Sequence, residues 1–167
     1  VAAANCNETV LIDSVGVQIV GLPNSQLQST SCPTLTIRGV TASVEGLRER
    51  GVGPHASVQG GGVLVVQSAA VTLRTSRLVI SDCVGLHCQN SDCELHRSVV
   101  GLNKSVGVFM ENSNFTIANN IIGFNGQNNS WSSGVRIDES NLDECVLCDL
   151  CLEAAPKGKI EIIKLYE

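Results

Sequence analysis

A gap-free repeat of 22 residues restricts the folds open to this chain more than any other feature of its sequence. Three successive segments begin at Gly62, Val84 and Val106, and apolar residues recur at the same places in each. Within a segment these residues form pairs spaced i and i+2, which is the periodicity of a β-strand and not of an α-helix. The pairs of the first segment are Leu64 and Val66, Val71 and Leu73, and Leu78 and Ile80. Each repeat therefore predicts three short strands joined by polar turns.

One such repeat cannot bury its apolar face alone, whereas stacked repeats close a common core. The sequence thus predicts an all-β fold, a parallel β-helix (a solenoid) of about five or six coils, in a single domain over residues 1–167. Each coil adds roughly 4.8 Å along the axis. Polar residues also recur in register, as in Ser76, Ser98 and Asn120 or Ser81, Asn103 and Asn125. These residues either hydrogen-bond along the axis as ladders or simply suit turn conformations.

The apolar pattern extends outward from the central repeats with insertions. Residues 35–44 match residues 71–80 at an offset of 36, and the excess over one repeat predicts an inserted loop over residues 45–61. Downstream, residues 135–142 match residues 108–115 at an offset of 27. The additional residues in each case are predicted to leave the coil as loops.

The regular coils are predicted over residues 62–127, and residues 10–19 are predicted to form an earlier, partial coil. The Cys-rich segment 143–167 departs from the repeat. Its first part, Cys145–Ala155, is compatible with a short helix, although the coil could also continue there. Ile160–Leu165 is predicted to form a final strand that closes the core or pairs with a neighbouring chain.

Residues 113–125, Ser-Asn-Phe-Thr-Ile-Ala-Asn-Asn-Ile-Ile-Gly-Phe-Asn, resemble the generic repeat of right-handed β-helices. Over residues 10–142 the chain resembles the pectin-lyase-like superfamily, and this resemblance implies a right-handed coil. The tract Gly60–Val63 is similar to the Gly-rich repeats of polymorphic outer-membrane proteins and related algal surface proteins. These resemblances imply a fold rather than an activity.

Eight cysteines are many for a chain of this length. Cys6 and Cys32 precede strands that would stack, which favours a disulfide between adjacent coils. Cys88 and Cys93 could bridge one turn; alternatively Cys83 pairs with Cys88 and leaves Cys93 as a small buried hydrophobe. The remaining three form a Cys-x-x-Cys-x-x-Cys run at Cys145, Cys148 and Cys151. That run could hold a metal centre in a reducing compartment, and Cys83, Cys88, Cys93 and His96 could form a zinc site. These spacings match no compact zinc motif, the glycosylation sequons of the chain favour disulfides, and the even count is compatible with four bridges, so we expect no metal or other cofactor.

Four Asn-x-Ser/Thr sequons accompany the cysteines, at Asn7, Asn103, Asn114 and Asn128. Together the two features indicate an oxidising, glycosylating compartment, so we expect an extracellular or cell-surface protein that carries N-linked glycans. The net charge of −5 argues against a nucleic-acid partner, which would require a basic surface. We also expect no membrane span, because no apolar run approaches the roughly 20 residues that a membrane helix needs.

Pectin-lyase-like enzymes cleave acidic polysaccharides, so the resemblance raises the question of whether this sequence contains their catalytic groups. Asn90-Ser91-Asp92 and Arg136-Ile137-Asp138 match the motifs of polygalacturonase-type hydrolases only in part. Glycoside hydrolysis requires paired carboxylates, and the sequence offers no clear pair. A pectate lyase requires a cluster of Asp or Glu for Ca²⁺ together with a basic residue, and the candidates do not converge on one strand register: Asp82, Asp92, Glu94 and Glu111. His87 and His96 alternate with core positions and are predicted to be solvated surface residues. We therefore expect no catalytic site.

The coil ends suggest a different role. An open β-helix end leaves unpaired strand edges, and such edges invite pairing with another chain. The leading hypothesis is a non-enzymatic extracellular structural or adhesive glycoprotein that assembles end to end into a fibril or forms part of a longer β-helix. The alternative is a fragment of a pectin-lyase-like carbohydrate-active enzyme or a polysaccharide-binding module.

Overall fold

The computed structural model describes residues 5–22, 25–51, 62–126, 134–138 and 141–145. They form a parallel β-solenoid of about five turns, built from three parallel sheets of six strands each. Sheet 1 contains β1 (Asn5–Asn7), β4 (Gln26–Ser29), β7 (Arg48–Gly51), β10 (Arg77–Val79), β13 (Val99–Gly101) and β16 (Ile121–Gly123). Sheet 2 contains β2 (Val10–Ile12), β5 (Leu35–Arg38), β8 (Gly62–Gln67), β11 (Val84–Gln89), β14 (Val108–Glu111) and β17 (Val135–Asp138). Sheet 3 contains β3 (Val17–Val20), β6 (Thr41–Glu45), β9 (Ala70–Arg74), β12 (Asp92–His96), β15 (Asn114–Ala118) and β18 (Asn141–Cys145).

The strand registers confirm most of the predicted stacking. Leu64 pairs with Leu86 and Leu86 with Val108, so the central coils repeat every 22 residues. The predicted partial coil is present, because Val10 pairs with Leu35 across β2 and β5. The downstream offset of 27 is confirmed as well, since β14 pairs with β17 in the register that joins residues 108 and 135.

The predicted offset of 36 is wrong. Leu35 pairs with Leu64 and Ala42 with Val71, which gives an offset of 29. The error arose because apolar pairs at i and i+2 occur in all three sheets, so a shift of seven residues matches one sheet to the next. The predicted loop over 45–61 is correspondingly wrong at its start, where β6 ends at Glu45 and β7 follows. Residues 52–61 lie outside the described residues.

The core is a closed column of aliphatic side chains inside the three sheets. Leu64, Leu73, Leu78, Leu86 and Leu95 are each fully buried. Burying an aliphatic side chain of this size contributes about 1.5–3 kcal/mol, and identical positions stack coil upon coil. The solenoid is therefore stabilised mainly by contacts between successive coils.

Each coil turns through residues in the left-handed region of backbone conformation. Among the described residues, nine that are not glycine have φ between 47° and 58°, three at each corner: Ser68, Asn90 and Asn112; Thr75, Arg97 and Asn119; Ile80, Leu102 and Phe124. The prediction that Ile80 and its equivalents are inward strand residues is therefore wrong. Ile80, Leu102 and Phe124 are 38%, 48% and 79% exposed.

The residue after each left-handed position turns inward, and most of these residues are Ser or Asn. Ser98 Oγ accepts a hydrogen bond from the Ser76 backbone, and Asn120 Oδ1 accepts one from the Ser98 backbone at 2.7 Å. The ladder interpretation of these polar registers is thereby confirmed. Such bonds satisfy backbone donors that the corners would otherwise bury unpaired.

All regular elements in the described ranges are strands, and none of these residues forms a helix long and apolar enough to cross a membrane. The possible helix at Cys145–Ala155 falls outside the described residues beyond its first position. The predicted strand Ile160–Leu165 lies outside them entirely.

Candidate assembly surface

The first coil, formed by β1, β2 and β3, leaves its part of the core open. Val10, Ile12 and Ile19 are only partly buried, although they pack against the core. Their partners one coil further, Leu35, Ile37 and Val44, are 1%, 0% and 0% exposed. The core is thus sealed from the second coil onward and incompletely covered at the first.

Large apolar side chains are also exposed around this coil. Leu11, Val15, Val20 and Leu22 are 50%, 85%, 56% and 42% exposed. We call these residues, together with the half-buried Val10, Ile12 and Ile19, the open edge. Several large apolar side chains exposed around one coil make this coil a candidate interaction surface.

The backbone of the open edge has no described strand on its outer side. β1, β2 and β3 are the outermost strands of their sheets among the described residues. Val10 N–H donates to Thr34 O and Gly21 N–H donates to Glu45 O, so these groups face the second coil. Because successive N–H groups along a strand point to opposite edges, the N–H groups of Leu11 and Gln18 point away from the solenoid.

The predicted disulfide between Cys6 and Cys32 is wrong, because Cys32 bonds to Cys83. Cys88 bonds to Cys93 across the corner between β11 and β12, which was one of the two predicted arrangements. The alternative pairing of Cys83 with Cys88 is wrong for the same reason. Cys6 and Cys145 are described only in their backbones, and Cys148 and Cys151 lie outside the described residues.

The four sequons differ sharply in their surroundings. Asn103 is fully buried, although it belongs to one of the four sequons for which we expected N-linked glycans. Its side chain donates to Leu78 O because the chain turns it inward after the left-handed Leu102. Asn114 is exposed on the outer face of β15. The side chain of Asn7 is not described, and Asn128 lies outside the described residues.

Two of the four carboxylates share one strand, whereas Asp82 precedes β11 and Glu111 lies on β14, so the four do not converge on one strand register. Asp92 and Glu94 alternate along β12 and face outward, and His96 Nε2 lies 3.3 Å from Glu94 Oε2. Asn114 Nδ2 donates to Asp92 Oδ1 at 2.7 Å, and Thr72 Oγ1 donates to Glu94 Oε2 at 3.2 Å. Each carboxylate is therefore hydrogen-bonded to the neighbouring coil. Within the described ranges, His, Cys, Asp and Glu form no cluster of three or more that could hold a metal ion.

A polar groove of about 610 Å³ runs beside this surface, along the corner between sheets 2 and 3. Asn90 and Asn112, both left-handed, line it and are joined by a 2.6 Å hydrogen bond. Asp92 and Asn114 form the adjacent wall. The groove combines amide and carboxylate groups with the small apolar surface of Val40 and Ala69.

His87 points outward from β11 as predicted, but the prediction that it is solvated is wrong. It is 2% exposed, and its ring stacks on Phe109 with 4.7 Å between centroids. Burial lowers the pKa of His87 from its ordinary value, and the Glu111 carboxylate, 3.4 Å away, opposes this shift. Phe109 also contacts the next coil, because the guanidinium carbon of Arg136 lies 4.9 Å from the centroid of the Phe109 ring.

Glu49 was missed by sequence analysis. It occupies the core register of Leu27 and Leu78 and is fully buried. The signal was present in the sequence, because an offset of 29 places residue 49 on residue 78. The incorrect offset instead assigned Glu49 to a loop, where a charged residue is unremarkable.

Comparison with known proteins yields no significant match to a protein-family model, a curated protein or a solved structure.

Proposed function

We propose that this chain is a non-enzymatic extracellular structural or adhesive glycoprotein that self-associates by stacking solenoid coils end to end through the open edge. The observation that carries this proposal is a difference in burial: Val10, Ile12 and Ile19 are only partly buried. Their paired residues in the second coil are almost completely buried. A further coil from a second copy would bury these side chains. The two disulfides favour the extracellular address.

The geometry of coil addition favours a head-to-tail contact. The open edge offers one strand from each sheet, and β16, β17 and β18 are the outermost strands at the other end of the described solenoid. Parallel pairing of one end with the other extends all three sheets at once. A head-to-tail contact whose rotation does not close generates a filament.

The test uses the free N–H groups of the open edge. Leu11→Pro with Gln18→Pro removes two outward donors without removing a hydrogen bond to the second coil. Leu11→Thr with Gln18→Thr is the matched control, because it changes the same side chains and keeps the donors. Sedimentation velocity should show concentration-dependent association of the wild type and the Thr variant but not of the Pro variant, with equal strand content by circular dichroism. A wild type that stays monomeric at high concentration, or a Pro variant that associates normally, would contradict the proposal.

The polar groove supports a second candidate, a polysaccharide-binding module, in keeping with the pectin-lyase-like resemblance. Adjacent amide and carboxylate groups over a small apolar floor suit the hydroxyl groups and C–H faces of sugars. Asn90→Gly with Asn112→Gly retains the left-handed backbone and removes the amides, and Asn119→Gly at another corner is the control. The measurement is binding to immobilised acidic and neutral polysaccharides. Binding that the double variant alone loses would support this candidate. If the wild type does not bind, the candidate is excluded for those polymers.

A further inference from the structure

Within the described coils, the interior of the solenoid contains one position where a carboxyl replaces an aliphatic side chain. Glu49 on β7 pairs with Leu27 on β4 and with Leu78 on β10, so it points into the core between two leucines. It is 0% exposed, and neither carboxyl oxygen has a hydrogen-bond partner. Unpaired burial of an ionised carboxylate is far more costly than burial of the neutral acid.

No described charge compensates Glu49. β4 carries no ionisable residue, and the strands of the other two sheets in these coils direct apolar side chains into the core. Most charged residues on the surrounding elements are exposed: Arg38, Glu45, Arg48, Arg74 and Arg77. Arg50 is partly exposed, and its Nε atom is buried without a hydrogen-bond partner, to Glu49 or any other group. Burial alone therefore raises the pKa of Glu49 well above its ordinary value.

A disulfide spans the same place. Cys32 follows β4 and Cys83 follows β10, so the Cys32–Cys83 bond joins the coils on either side of β7. It passes close to Gly51, the last residue of β7, where an added Cβ would lie 3.2 Å from Cys32 Sγ. The covalent link thus crosses the coil whose interior carries the unpaired carboxyl.

We propose that β4, β7 and β10 form a pH-responsive joint in the solenoid, at which ionisation of Glu49 loosens the stacking of the coils and the Cys32–Cys83 disulfide limits their separation. Below the pKa of an unfolded Glu the carboxyl is neutral in both states, and the joint is fully stable. As pH rises through the raised folded value, the stability of the joint is lost. The joint involves neither the open edge nor the groove, so it holds whether or not the chain self-associates.

The first measurement compares wild type, Glu49→Gln, Glu49→Leu and the exposed control Glu45→Gln, each with its disulfides intact. The guanidinium chloride concentration at the unfolding midpoint should fall for wild type and Glu45→Gln as pH rises above the ordinary Glu range. For both Glu49 variants, the part of this decrease that is due to Glu49 should be absent. Each unit by which the folded pKa exceeds the unfolded one corresponds to about tenfold in the folding equilibrium constant. Equal pH dependence in all four proteins overturns the proposal.

The second measurement locates the opening and needs no Glu49 variant to fold. The amide hydrogen exchange rates of β4, β7 and β10 should rise with pH by more than the intrinsic pH dependence of amide exchange. This excess acceleration should be larger in the Cys32→Ala/Cys83→Ala variant. The exchange rates of β12 and β15 should show less of it. A carbon-13 NMR titration should show the Glu49 carboxyl ionising at higher pH in the folded protein than in the urea-unfolded protein. Coincident titration of Glu49 in the two states, or an excess that the Cys variant does not increase, refutes the joint.

Discussion

Asn103 Nδ2 donates a hydrogen bond of 3.0 Å to Asn125 Oδ1, one coil further along the solenoid. The same Asn103 nitrogen donates to Leu78 O, and Asn125 Nδ2 donates to Val100 O at 3.0 Å. The two side chains therefore connect the backbones of successive coils from within, next to the core.

Replacing Asn103 by Ala should destabilise the fold by about 1–3 kcal/mol, because buried acceptors lose their donor. Asn114→Ala, at an exposed position, is the control and should cost less. Urea unfolding monitored by circular dichroism measures both. Equal costs for the two variants would mean that the interior amides are not the stabilising element.

The same burial predicts selective glycosylation. In a glycosylating eukaryotic host, the peptide containing Asn114 should carry a glycan, whereas Asn103 should be unmodified in the folded protein because its side chain is inaccessible. Peptide mass spectrometry after enzymatic deglycosylation distinguishes the two sites. If Asn103 carried a glycan in most molecules and the protein still unfolded like the native protein, the hydrogen-bond ladder would tolerate the loss of the Asn103 side chain from the interior.

The two disulfides should contribute unequally. The Cys32–Cys83 bond has a sequence separation of 51 and the Cys88–Cys93 bond a separation of 5. Chain-entropy arguments then assign about 4 kcal/mol to the first and about 2 kcal/mol to the second. Chemical denaturation of the two double Cys→Ala variants measures the free energy of unfolding that each disulfide contributes. A larger loss of this free energy for the Cys88–Cys93 pair would contradict the prediction.

The left-handed corner residues offer a route to higher stability. Ile80 is β-branched and has φ of 57°, a conformation that Asn adopts more readily. Ile80→Asn should therefore raise the free energy of unfolding by about 1 kcal/mol. Ile121→Asn is the matched control, since Ile121 is exposed but lies in β16, where Asn is disfavoured. A gain in the control, or a loss in Ile80→Asn, would argue against corner strain.

His87 predicts a loss of stability in acid. Its pKa is lowered in the folded chain, so the unfolded chain takes up the proton first as pH falls. The stability that the neutral His87 contributes is fully present at pH values above the ordinary pKa of His. It is lost as pH falls from that pKa towards the lower pKa of His87 in the folded chain. His87→Phe should flatten the dependence of the unfolding free energy on pH in this range, and His96→Gln should retain it. Identical slopes for His87→Phe and wild type would contradict this assignment.

Periodicity alone was sufficient to predict the three-sheet solenoid, because inward apolar pairs such as Leu64 and Val66 recur without gaps. It failed at Glu49, where a carboxyl interrupts the pattern, and at Ile80, where an apolar residue occupies a turn. The Cys32–Cys83 pairing could not be predicted, since these residues are brought together only by the coil between them. The burial of Asn103 and His87 depends on packing that the local sequence does not encode.

The constant 22-residue step makes the length of the molecule adjustable in discrete increments. Duplicating residues 84–105 would add one complete layer, lengthening the column by roughly 4.8 Å while every side chain keeps its inward or outward direction. Adding a single residue within a strand would instead reverse that alternation for the rest of the strand. A gene that encodes such a chain can therefore grow or shrink by whole layers without redesigning its interior.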